Sequence, residues 1–137
     1  MASHRRRTGL LTVALALGGA ATLADAPLRA LKLIEPGQWM LREDESAGAV
    51  RTVCIADPAM LLQFQHERPG CARLVISDEP MTATVHYRCP GAGEGQTTIR
   101  VASGRSFHLE TQGIAGGAPF DTGFEARRTG DCPAAAR

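Results

Sequence analysis

The sequence predicts a mainly β protein: a single antiparallel sheet, strongly curved or closed into a partial barrel, of six to seven short strands with one short helix at about residues 58–67. Three observations predict it. Apolar residues recur with period two in most runs from Trp39 onward, as in strands with one buried face. Clusters of Gly, Pro, Asp and Ser separate those runs. One segment alone switches to helical spacing. A length of 137 residues suits one domain, and 44% hydrophobic with 21% charged residues is the balance of a folded chain rather than a disordered one.

Residues 1–26 read as a secretory signal. Arg5, Arg6 and Arg7 form a basic start, an uncharged and mostly apolar run follows from Gly9 to Leu23, and small residues close it at Ala24-Asp25-Ala26. The apolar run is shorter than the roughly 20 residues of a spanning helix, and no later stretch resembles it, so no membrane span is expected after signal removal. Cleavage falls after Ala24 or Ala26, and Pro27 as an awkward first residue favours Ala24; an uncleaved anchor is the alternative. The domain then covers residues 27–133, with 134–137 as a disordered tail. Removal of residues 1–24 takes three arginines and no acid, leaving 12 basic and 14 acidic side chains and a formal charge of −2. That charge makes nucleic acid an unsuitable partner.

Within the domain, Trp39 and Leu41, then Val53 and Ile55, mark two strands. Asp57 as N-cap, Pro58 at the first helical position and Pro69-Gly70 as a stop bracket the helix, with Met60, Leu61 and Phe64 on one side. Leu74 and Ile76 mark the next strand. From Met81 to Cys89 the odd positions are apolar, while Thr82, Thr84, His86 and Arg88 face out. Ile99 with Val101, Phe107 with Leu109, and the run Phe120, Thr122, Phe124 and Ala126 continue the pattern. The segments Ser46–Ala49, Asp78–Pro80, Pro90–Gln96, Ser103-Gly104 and Gly113–Pro119 read as turns or loops. A three-residue loop, Ser103-Gly104-Arg105, keeps like faces opposite by setting Val101 against Phe107 and Arg100 against His108. The same parity places Arg100 opposite His86, which predicts an outer row of His86, Arg100 and His108, with Glu110 beside it.

Cys54, Cys71, Cys89 and Cys132 are an even set without the close spacing of a zinc site, so export makes them two disulfides. Four cysteines allow three pairings. A strand–helix–strand excursion that returns Cys71 to Cys54 favours Cys54 with Cys71 and Cys89 with Cys132.

The order of these features resembles a bacterial exported family catalogued as domain of unknown function 3617. Pro36-Gly37-Gln38-Trp39 opens the first strand, Tyr87-Arg88-Cys89 ends a later one, and Gly130-Asp131-Cys132 ends the domain. The likeness covers roughly residues 34–133; Gln38 stands where that family more often has leucine, and the strand after Trp39 is more charged than usual. The resemblance implies a periplasmic β-rich domain and carries no catalytic residues with it.

Familiar chemistries find little support. No serine lies in a G-x-S-x-G turn and no C-x-x-C pair exists. The glycine-rich Pro90–Gly95 run leads into a strand rather than a helix and holds Glu94, so it is no phosphate loop. Glu43-Asp44-Glu45 lacks the alternating ligands of a calcium loop. The reading is therefore a periplasmic or secreted, non-catalytic domain that takes an envelope partner or a small apolar ligand, with no cofactor. The alternative is a small periplasmic hydrolase or metal-dependent enzyme using the outward His86, His108 and Glu110, where Arg100 between the histidines opposes a cation. The Gly113–Pro119 loop is the expected partner contact of a structural or inhibitory protein.

Overall fold

The computed structural model describes residues 27–45, 47–67 and 70–134; the expected signal at residues 1–26, Ser46, Arg68, Pro69 and residues 135–137 of the expected tail lie outside them. Seven antiparallel strands form one open sheet: β1 (Gly37–Glu43), β2 (Val50–Ile55), β3 (Ala72–Asp78), β4 (Thr82–Cys89), β5 (Gly93–Ser103), β6 (Ser106–Ala115) and β7 (Ala118–Gly130). Their order across the sheet is β2-β1-β7-β6-β5-β4-β3. The last five strands are a meander, and β1 and β2 add to its β7 side, so β2 and β3 are opposite edges.

The alternation seen in the sequence fixes which face is buried. Val85, Tyr87, Ile99, Phe107, Leu109, Phe124, Leu41 and Trp39 all point to one face and are almost inaccessible. Two 3₁₀ segments cover that face, Leu31–Leu33 near the N-terminus and Pro58–Gln63 in the β2–β3 connection. Met81 departs from the alternation: it lies in the turn before β4 and is 48% exposed.

The expected helix over 58–67 is instead the 3₁₀ segment Pro58–Gln63. Its start is as expected, with the Asp57 carboxylate accepting from the Ala59 N–H at 2.9 Å. Leu61 and Phe64 are both buried and three residues apart, the repeat of a 3₁₀ turn. The chain then leaves helical geometry through a turn closed by His66 N–H to Gln63 O at 2.8 Å, and His66 goes inward.

All four cysteines are bridged, but not in the expected pairing: Cys54 joins Cys132 and Cys71 joins Cys89. The sheet order is the reason. β3 does not return beside β2; the connection crosses the inner face to the far edge, taking Cys71 away from Cys54. Cys54 lies opposite Gln38, and Gly130 flanks Gln38 on its other side, so Cys132 closes over the end of β1. Cys71 extends the β3–β4 register, in which Ala72 faces Arg88, and so falls opposite Cys89 with Cα atoms 4.2 Å apart.

Two supposed loops are mostly strand. Cys89 O accepts from Ala92 N–H at 3.0 Å across Pro90-Gly91, with Gly91 at φ 74°, which is a tight turn with proline first and glycine second. β5 therefore begins at Gly93. Gly116 (φ 57°) and Gly117 (φ 81°) form a two-residue hairpin turn, so all but the centre of the Gly113–Pro119 segment pairs in β6 and β7.

Candidate functional site

The outer face was expected to align His86, Arg100 and His108, and the structure joins only two of them. Arg100 is opposite His108, and Val101 is opposite Phe107. The residue that sets this parity is a bulge at Ala102 rather than a third loop residue, since Ser103 already faces Ser106. His86 lies opposite Gln96, because the tight turn at Pro90-Gly91 starts β5 early; Thr82 takes the place beside Arg100.

Both histidines of this face and the two arginines nearest them have acidic neighbours. Arg100 pairs with Glu110 at 2.8 Å, and Arg88 with Glu94 at 2.9 Å. His86 Nε2 is 3.9 Å from Glu94. His108 Nε2 is 2.8 Å from the Asp44 carboxylate, and its Nδ1 is 3.8 Å from Glu110. Asp44 reaches over β7 because Gly123 has no side chain there; a Cβ would collide with the carboxylate. Asp44 N–H donates to Gly123 O at 3.1 Å. This constellation pins the β1–β2 turn to β6. Among the described residues no group of three or more His, Cys, Asp or Glu is placed to hold a metal ion.

A buried polar chain crosses the inner face, and its principal member, His66, carried no sequence signal. The His66 Nε2–H donates to Ile114 O at 3.1 Å, which leaves Nδ1 to accept from the Tyr87 hydroxyl at 2.9 Å. Thr111 bonds to Tyr87 and, at 3.0 Å, to Thr97. Burial pushes the Tyr87 phenol above its usual range, and the Thr111 bond partly offsets it. Gly93 and Gly95 make the room: a Cβ on Gly95 would lie 2.6 Å from the Tyr87 oxygen, and one on Gly93 would lie 2.9 Å from His66 Nε2. Because the chain is internally satisfied, it specifies packing rather than presenting a reactive group.

A groove of about 450 Å³ lies beside β3. Leu28 and Leu31 form one wall, Leu62 and Ala59 another, and Val75 and Val85 the floor. Lys32, Arg73 and Asp57 stand at its rim. The Asp57 carboxylate is occupied at the 3₁₀ N-terminus, and the Arg73 guanidinium donates to Gln63 Oε1 at 2.8 Å and toward Ala59 O at 3.4 Å. The groove is thus apolar with two cations, Lys32 and Arg73, and one capping carboxylate, Asp57, at its margin, within the size range of small-molecule sites. The phenylalanines and Trp39 do not line it: Trp39 is fully buried against Phe107, with ring centroids 4.8 Å apart, and Phe64 packs edge-on against Phe124 at 5.4 Å. Compared with known proteins, the chain matches no family model, no curated protein and no solved structure.

Proposed function

We propose that this chain is an exported, non-catalytic binding domain of the bacterial envelope, and that the groove beside β3 is its binding site. The observation that carries the reading is the combination of an apolar hollow of about 450 Å³ with Lys32 and Arg73 at its margin. Two disulfides and the signal-like residues 1–26 support export, since such bridges persist in oxidising compartments. No helix among the described residues is long and apolar enough to cross a membrane. The reading takes the chain as a relative of the exported family whose motif order it shares.

The test uses the secreted chain and the apolar anion 1-anilinonaphthalene-8-sulfonate. Saturable one-to-one binding is expected, weakened by Val75→Glu, a half-exposed position that tolerates a charge without loss of the fold. Absence of saturable binding, or binding indifferent to Val75→Glu, overturns the groove as the site. Sequencing of the secreted N-terminus checks export: a start at Asp25 or Pro27 is expected.

A further inference from the structure

We infer that β3 is a docking edge for an extended strand of another protein, whose alternate side chains enter the adjacent groove. This rests on the reading of the groove as the binding site and names the class of partner. Three separate observations meet at this edge. Among the described residues no strand pairs with the outer side of β3. Its centre carries three consecutive exposed aliphatics, Leu74 (64%), Val75 (50%) and Ile76 (54%), and before the bulge at Ile76 the strand holds one charge, Arg73, and no proline. And the groove opens on the face that Val75 shares with buried Val85.

The ladder shows which backbone groups are on offer. Paired residues of antiparallel strands alternate between bonded and non-bonded positions, the latter with Cα atoms about 4.5 Å apart. The 4.2 Å separation of Cys71 and Cys89 marks a non-bonded position. Counting along the register, Leu74 and His86 are a bonded pair, while Arg73 and Val75 turn their N–H and C=O groups away from β4. A strand added there places the residue opposite Val75 on the inner face, over the groove, because directly opposed residues share a face. The residue two positions along stands opposite Arg73, where an acid is favoured. The partner's recognition element is therefore an aliphatic or aromatic residue two positions from an Asp or Glu, in an extended segment.

A second copy of this chain meets obstacles in two of the registers it could take at this edge. A two-fold pairing centred on Arg73 sets guanidinium against guanidinium. One centred on Val75 runs into the bulge at Ile76, where the register shifts between Val75 and Ser77. That bulge also limits the docked segment to the stretch N-terminal of it.

The experiment pans a displayed library of random ten-residue peptides against the secreted domain. Enriched sequences should carry the apolar–x–acid pattern, displace the naphthalene dye and shift the amide resonances of Arg73 and Val75. N-methylation at the peptide nitrogens facing β3 should weaken binding by roughly tenfold, whereas methylation one residue along should not. Arg73→Glu should change the selected acid to Lys or Arg. Binding that is indifferent to N-methylation, or shifts confined to other strands, overturns the inference. So does a concentration-dependent dimer abolished by Ile76→Lys, which would put a second copy at this edge. If the dye binds and no peptide is enriched, the strand-docking inference falls while the groove reading stands; if the dye also fails to bind, both fall.

Discussion

Trp39 illustrates how much a single side chain contributes in a domain with 4% aromatic residues. It is fully buried against Phe107, and its indole N–H donates to Glu35 O at 3.1 Å. Trp39→Ala is expected to cost roughly 3–5 kcal/mol, measured by denaturant unfolding; a loss under about 1 kcal/mol would contradict that burial. Tyr87 offers a spectroscopic check, as the single tyrosine of the chain. Its phenol is held protonated beyond the usual range by burial. The folded state therefore retains a proton that the unfolded state releases near pH 10, so stability present below that pH is lost as pH rises through and above it. Phenolate absorbance should emerge above the range of free tyrosine and together with unfolding; an ordinary titration in a folded protein would contradict the buried chain. Tyr87→Phe leaves His66 Nδ1 and Thr111 short of a partner and should cost about 1–3 kcal/mol. The alternating burial of Val85 and Tyr87 was legible because period two is a local property. His66 was not, since its position depends on contacts with strands 21 and 48 residues away.

At the scale of elements, hairpin turns decided what strand alternation left open. Alternation correctly opposed Arg100 to His108, because both faces of that hairpin are chemically distinct. It failed for His86, where the tight turn at Pro90-Gly91 shifts the partner to Gln96. The four residues Cys89 to Ala92 do carry a turn signal, proline followed by glycine, but the glycines beyond them read equally as loop. Their role is to leave space for Tyr87 and His66. The crossover segment shows a related conflict. Local spacing supports helix to residue 67, and inward placement of His66 ends it at Gln63. Gly123→Ala tests an element-level contact: by displacing the Asp44 carboxylate from His108 it should speed amide exchange in the β1–β2 turn, with the rest of the sheet unchanged. Uniform loss of protection would instead show that the contact supports the whole fold.

Over the whole molecule, the two bridges act on very different loops. Cys71–Cys89 spans 18 residues across one hairpin, whereas Cys54–Cys132 spans 78 and ties edge strand β2 to the end of β7. The chain-entropy estimate gives roughly 3 kcal/mol for the shorter loop and about 4.5 for the longer. Replacing Cys54 and Cys132 by serine should therefore lower the melting temperature more than replacing Cys71 and Cys89, and full reduction more than either. Non-reducing peptide maps should recover Cys54 with Cys132 and Cys71 with Cys89.

The sequence by itself determined the class of structure, the buried face of most strands and the presence of an even, bridgeable cysteine set. Each of these follows from residue type and spacing over a few positions. Only the tertiary structure decided which cysteines meet, which strand is left at the edge and where a groove opens. Those depend on strand order, and the energy that sets strand order comes from side chains packing between residues far apart in the chain: the connection from β2 crosses the core face to reach the opposite edge, and no local pattern encodes that crossing.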